Sequence, residues 1–142
     1  MLASGLLASA ACSGESASTD ALSHVRGATY RLRAVDGALL PTRFAPMEDP
    51  QSAQPVRLES GQITFQADGR ATGELNGAGE LAAVTRIFAG TYVEEGARVL
   101  IYANGDVAPD TAVVSDDTIT VRAQFFRLPS RERSVMVMTY TR

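Results

Sequence analysis

Downstream of Gly27 the apolar residues recur mostly at every second position, the period of a strand with one buried face. Tyr30, Leu32 and Ala34 alternate with Thr29, Arg31 and Arg33, and Asp36-Gly37 then supplies two residues that tolerate the positive φ of a tight hairpin. Val56, Leu58 and Ser60 alternate with Arg57 and Glu59; Gly61 reads as a turn, and Ile63, Phe65 and Ala67 resume the pattern as a separate strand. Asp68-Gly69 is a second hairpin signal, residues 70–75 form a weaker strand, and the Gly-rich residues 76–80 read as a flexible turn. Residues 82–88 predict a strand with poor alternation. Gly90 opens two more around Glu95-Gly96, closed by Asn104-Gly105. A short strand over 111–114 precedes a turn at Ser115-Asp116-Asp117. The cleanest alternation follows: Ile119, Val121, Ala123 and Phe125 against Thr118, Thr120, Arg122 and Gln124. After a charged turn over 127–133, residues 135–140 are apolar on both faces, which predicts a strand covered on both sides.

No stretch carries a helical period with caps. Turn signals recur about every 8 to 12 residues, the spacing of an all-β sandwich or barrel. Four prolines, Pro41, Pro46, Pro50 and Pro55, predict that residues 41–55 form a loop, a lid or a crossing over one barrel end. Thr-Tyr occurs at Thr29-Tyr30, Thr91-Tyr92 and Thr139-Tyr140. If each Tyr faces inward, the first and last strands can lie side by side and close a barrel, which removes its edges.

The first 12 residues differ from the rest. A short apolar run ends in the small residues Ser9, Ala10 and Ala11 before Cys12, the shape of a secretory signal and far shorter than the roughly 20 residues of a membrane span. This stretch resembles a degenerate bacterial lipobox, with Ser9 where such signals usually carry Leu and with no basic residue ahead of the apolar run. The resemblance implies that Cys12 is lipidated and becomes the mature N-terminus. It also implies that the protein sits in the bacterial cell envelope, anchored to a membrane, and Ser13 resembles the residue that permits outer-membrane sorting. An ordinary secretory signal, giving a secreted protein, and an unmodified thiol are the open alternatives. Residues 13–26, which include His24, read as a flexible linker. The domain division is therefore leader 1–12, linker 13–26 and folded domain 27–142.

The order Tyr-x-Leu-x-x-Val-Asp-Gly-x-x-Leu-Pro from Tyr30 to Pro41, the Ser-Gly-x-Ile-Thr-Phe-x-x-Asp-Gly run from Ser60 to Gly69, Gly-Thr-Tyr at Gly90 and the terminal Tyr-x-Arg resemble small bacterial lipocalin-like secreted proteins. The resemblance covers most of residues 27–142 and implies an antiparallel up-and-down barrel of about 8 to 10 short strands. Its motifs are turns and inward aromatics, so it speaks to fold and not to activity. The chain has no Trp and lacks the Gly-x-Trp signature of a typical lipocalin first strand.

Composition narrows the chemistry. All 13 positive residues are Arg, the net charge is −3, and no overall basic footprint suggests a nucleic-acid partner. Without Lys there is neither a phosphate-loop lysine nor a Schiff base, and a single His and a single Cys give no zinc cluster. The paired acids Glu48-Asp49, Glu94-Glu95 and Asp116-Asp117 fall in predicted turns, where neighbouring carboxylates point apart and do not share a cleft. Asn104, Asp106 and Asp110 lack the acidic count of a calcium loop. No catalytic residue, metal or cofactor is expected. Arg127, Arg131 and Arg133 are weighed as an anion-recognising turn against a merely solubilising one. Phe125, Phe126, Met136, Met138 and Tyr140 are weighed as the lining of a lipophilic cavity against plain core. The reading that results is a non-enzymatic, exported envelope barrel that binds an unidentified partner. Two alternatives stand beside it: a carrier of a small hydrophobic ligand, which would need a cavity of several hundred Å³, and an inhibitor of a periplasmic hydrolase acting through a protruding loop over 41–55.

Overall fold

The computed structural model describes residues 25–104, 108–127, 130 and 132–142. Cys12 and His24 lie outside them. The described residues hold ten strands: β1 Thr29–Val35, β2 Ala38–Leu39, β3 Thr42–Glu48, β4 Pro55–Phe65, β5 Arg70–Ala78, β6 Ala83–Glu95, β7 Arg98–Ala103, β8 Asp110–Ser115, β9 Thr118–Arg127 and β10 Glu132–Thr141. From β4 to β10 each strand pairs antiparallel with the next, and β1 pairs with both β10 and β4. β1 and β4 to β10 thus close an up-and-down barrel, the all-β architecture that the turn spacing allows and the lipocalin-like resemblance implies.

The seam forms where the repeated Thr-Tyr pairs point. Arg31 and Leu32 of β1 stand opposite Thr141 and Tyr140 of β10, and Thr29 and Tyr30 stand opposite Thr64 and Ile63 of β4. Tyr30, Tyr92 and Tyr140 are all buried. Tyr30 and Tyr92 both meet the Phe65 ring edge-on, with centroids 6.1 and 5.0 Å away, an arrangement that places the positive ring edge against a negative face. The turn after β1 supplies the positive φ it needs, 48° at Asp36 and 81° at Gly37. The same turn is tied to the seam: the Asp36 N–H donates to the Val137 carbonyl at 2.7 Å, and the Val137 N–H donates to Asp36 Oδ1 at 2.8 Å.

Several boundaries differ from the sequence reading. Residues 55–65 are one strand and not two. The pairing with β5 shifts between Leu58 and Ser60, a bulge that leaves both Glu59 and Ser60 exposed and moves the inward set from Val56 and Leu58 to Gly61, Ile63 and Phe65. Gly61 is therefore a buried strand residue. A Cβ there would lie 2.8 Å from Leu75 Cδ2 and 3.1 Å from Leu32 Cδ2. Residues 76–78, read as part of a turn, complete β5, and the turn begins at Gly79. β6 runs unbroken through Gly90, where a Cβ would lie 2.0 Å from the Tyr102 carbonyl oxygen of β7. β10 is central in the ring, yet Val135 on its outer face is 54% exposed, so the strand is covered on one side only. Val25, placed in the linker by composition, is fully buried and belongs to the core.

The predicted proline loop is the largest correction. Residues 42–48 form β3, which pairs with the first part of β4 while β1 pairs with the last part. Pro46 is tolerated because it falls within an irregularity of that pairing, between Phe44 and Glu48, on a strand with a single ladder partner. β3 is buried through Phe44, Pro46 and Met47. It is not a protruding loop, and the Phe44 ring meets Phe125 of β9 edge-on at 5.5 Å.

Asp49 fixes the far end of β3. It is fully buried, and its carboxylate accepts the N–H groups of Gln51 at 2.8 Å, Leu81 at 2.5 Å and Ala82 at 3.1 Å. The Leu81 and Gln51 hydrogen bonds hold its pKa below the ordinary carboxylate value, against the opposing effect of desolvation. Glu48-Asp49 is thus not a solvated acid pair. Asp49 is the clasp between the β3–β4 turn and the β5–β6 turn.

Candidate ligand-binding site at the barrel mouth

Strand lengths decide where the barrel opens. β6 has 13 residues and β9 has 10, whereas β7 and β8, which stand between them, have 6 each. β7 reaches β6 only as far as Gly90 opposite Ala103, and β8 reaches β9 only as far as Arg122 opposite Thr111. Residues 83–88 of β6 and 124–127 of β9 therefore extend past the described ends of the β7–β8 pair, so that among the described residues the wall has a notch there.

A cavity of about 100 Å³ opens at this notch. Its floor is apolar, from Ile63, Leu75, Ile101, Val121 and Met138, with the Tyr140 ring beside them. Its mouth carries Arg86 and Phe88 of β6, Asp110 of β8, and Gln124 and Phe125 of β9. The alternation of β6 turns residues 84, 86, 88, 90 and 92 toward the interior, so Arg86 occupies a position where the strand pattern calls for an apolar side chain. The guanidinium carbon sits 5.5 Å from the Phe125 ring centroid, within cation–π range. Nη1 reaches the Pro46 carbonyl at 3.5 Å, a long hydrogen bond. Arg86 is in neither of the ion pairs Arg57–Glu59 and Arg70–Asp68. Asp110, which stands across the same opening, accepts the Gln124 N–H on Oδ1 at 2.9 Å.

Phe88 covers the notch from the β6 side. It stands directly opposite Gly73 of β5, and a Cβ at that glycine would lie 1.9 Å from the ring. The ring fills the space that a side chain on β5 would otherwise take.

Of the aromatic and Met positions weighed in the sequence, Phe125, Met138 and Tyr140 line the cavity. Met136 is buried core. Phe126 is exposed on the outer face, with the Arg133 guanidinium 5.7 Å from its ring centroid. Arg131 lies outside the described residues, as do Gly105 and Asp106 of the weighed calcium loop. Burial raises the pKa of Tyr140 far above the ordinary tyrosine range, and burial likewise raises Tyr30 and Tyr92. Among the described residues no three His, Cys, Asp or Glu side chains converge on a metal-sized site. Arg86 was not singled out in the sequence, and Asp110 was weighed only as part of a calcium loop, whereas it lines the cavity. The signal that could have found Arg86 was the poor alternation of residues 82–88, where a charged residue interrupts the inward set Val84 and Phe88.

Comparison with protein-family models, with curated proteins and with solved structures finds no match for this chain.

Proposed function

We propose that this chain is a non-enzymatic binding protein of the bacterial cell envelope, held to a membrane through a lipidated Cys12 and binding a small molecule at the mouth of its barrel. The observation that carries the binding role is the notch: an apolar cavity of about 100 Å³ whose opening holds a guanidinium on an inward-facing strand position. The lipobox-like residues before Cys12 support the anchor. Two or three acyl chains, at about 0.8 kcal/mol per buried methylene, suffice for stable membrane attachment.

Strand direction supports the same reading. The Gly27 N–H donates to the Phe65 carbonyl at the end of β4. β1 runs from there toward Val35, which stands opposite Met138. The chain thus enters the barrel at the end opposite the mouth. The cavity is smaller than the several hundred Å³ that the alternative of a small hydrophobic-ligand carrier using the barrel interior calls for. The hydrolase-inhibitor reading loses its support, since residues 42–48 are a paired, largely buried strand.

Native mass spectrometry of protein extracted from its own membrane tests both halves. A diacylglyceryl mass on Cys12 and a retained small molecule are the expected results. An unmodified Cys12 in protein that keeps its first 11 residues would overturn the anchored, exported assignment.

A further inference from the structure

We infer that the ligand is a small monocarboxylate with a short aliphatic body: the carboxylate meets the Arg86 guanidinium at the notch and the aliphatic part enters the cavity. The inference rests on the reading of the notch as a binding site and adds the chemical class of what it binds.

Three features of the site lead to it. Arg86 offers a planar fork of N–H donors, which matches a carboxylate in bidentate geometry. Its contacts among the described residues are one long hydrogen bond to a carbonyl and the face of Phe125. An oxyanion entering the notch would thus meet a solvent-exposed guanidinium backed by an aromatic ring. The floor is wholly aliphatic and thioether apart from the Tyr140 ring, so the part of the ligand below the carboxylate must be apolar. The volume sets its size. An apolar cavity of about 150 Å³ accommodates a benzene ring; at about 100 Å³ this one takes less, on the order of four or five carbons, as in a branched butyl or pentyl chain.

Asp110 sets the charge of the head group. Its carboxylate stands at the same opening as Arg86. A singly charged head can approach the guanidinium while bearing that one repulsion. A phosphate monoester, with close to two negative charges at neutral pH, meets twice the repulsion and finds no second cation among the described residues, of which Arg86 is the single basic one lining the cavity. Longer fatty acids are excluded by the depth of the cavity and not by charge.

The test is titration of the folded protein with 4-methylpentanoate, followed by methyl and backbone NMR shifts, with 4-methylpentan-1-ol, butyl phosphate and decanoate as comparison probes. Saturable shifts at Ile63, Val121 and Met138 are expected with 4-methylpentanoate. Affinity for the alcohol should be at least tenfold weaker, and butyl phosphate and decanoate should give no saturable shifts. Arg86→Gln, whose fold is checked by its own spectrum, should weaken the carboxylate about tenfold or more and leave the alcohol unchanged. Equal affinities for carboxylate and alcohol, with Arg86→Gln altering neither, would overturn the carboxylate assignment while leaving the cavity as a binding site. Absence of saturable shifts with every probe would overturn the binding-site reading itself. Tighter binding of butyl phosphate or decanoate than of 4-methylpentanoate would overturn the charge or the length argument respectively. Ala123→Phe, which fills the cavity from β9, should abolish shifts from all probes; if they persist, the ligand sits elsewhere and the assignment fails.

Discussion

Leu32 and Tyr140 stand opposite one another across the seam between β1 and β10, so residues 108 positions apart in the chain close the barrel. Both side chains are buried, Leu32 at 5% and Tyr140 at 2% exposure. The pair joins the first strand to the last, and its integrity decides whether the sheet is a ring or an open sheet with two free edges.

Truncation at this seam removes a large buried ring from a packed interior. Tyr140→Ala should destabilise the protein by about 3–5 kcal/mol, read as a lower urea midpoint. Tyr140→Phe should fall within about 1 kcal/mol of the parent, because among the described residues the hydroxyl donates to the Met138 sulfur, at the long distance of 3.7 Å. The raised pKa of Tyr140 also fixes a pH dependence. The folded state holds the neutral phenol, so this contribution is intact below the ordinary tyrosine value of 10.0 and is lost as pH rises above it, when the unfolded chain ionises first. Ultraviolet absorbance should show one tyrosine ionising only together with the loss of tertiary circular dichroism.

Asp49 gives the opposite sign. Its folded pKa lies below the ordinary value of 3.8. Its contribution is therefore present at neutral pH and is lost as pH falls through and below that value. Asp49→Asn keeps the volume but turns an amide toward the N–H groups of Leu81 and Ala82. Its Tm should be several degrees lower at pH 7, and the gap from the parent should narrow by pH 3. Thermal melts over that range check it; a gap that stays constant with pH would show that the carboxylate charge plays no part in the clasp.

Gly73 and Phe88 should behave as a coupled pair. A Cβ at position 73 lies 1.9 Å from the Phe88 ring, so Gly73→Ala must displace the ring and should cost about 1–3 kcal/mol by overpacking. In a Phe88→Ala background the same substitution should cost much less, giving a coupling energy of about 1 kcal/mol or more in a double-mutant cycle.

Phe44 ties β3 to the barrel rim through Phe125, with ring planes 83° apart. Phe44→Ala should cost about 3–5 kcal/mol, since the ring is fully buried. A cycle with Phe125→Leu should isolate about 0.5–1.5 kcal/mol for the edge-to-face contact. Amide exchange along residues 42–48 should accelerate in both single variants.

The sequence by itself determined the architecture. Period-two alternation with positive-φ turn residues can be read locally, because each side chain's face depends on its neighbours two positions away and each hairpin on two residues at its tip. The Thr-Tyr repeats even indicated the closing seam. What they could not show was every break in that rule. The bulge at Glu59-Ser60 reverses the parity of β4 and makes one strand look like two. Pro46 makes β3 look like loop because its fit depends on which partner is missing. Gly61 and Gly90 look like turns because the neighbours that need their space come from other strands. The candidate site belongs to this second class. It exists because β7 and β8 are shorter than β6 and β9, which leaves Arg86 of one strand, Asp110 of another and Phe125 of a third around one opening. Only the closed ring brings those three together, since their nearest approach in sequence is 15 residues, from Asp110 to Phe125. No local pattern of polar and apolar positions encodes a convergence of that kind.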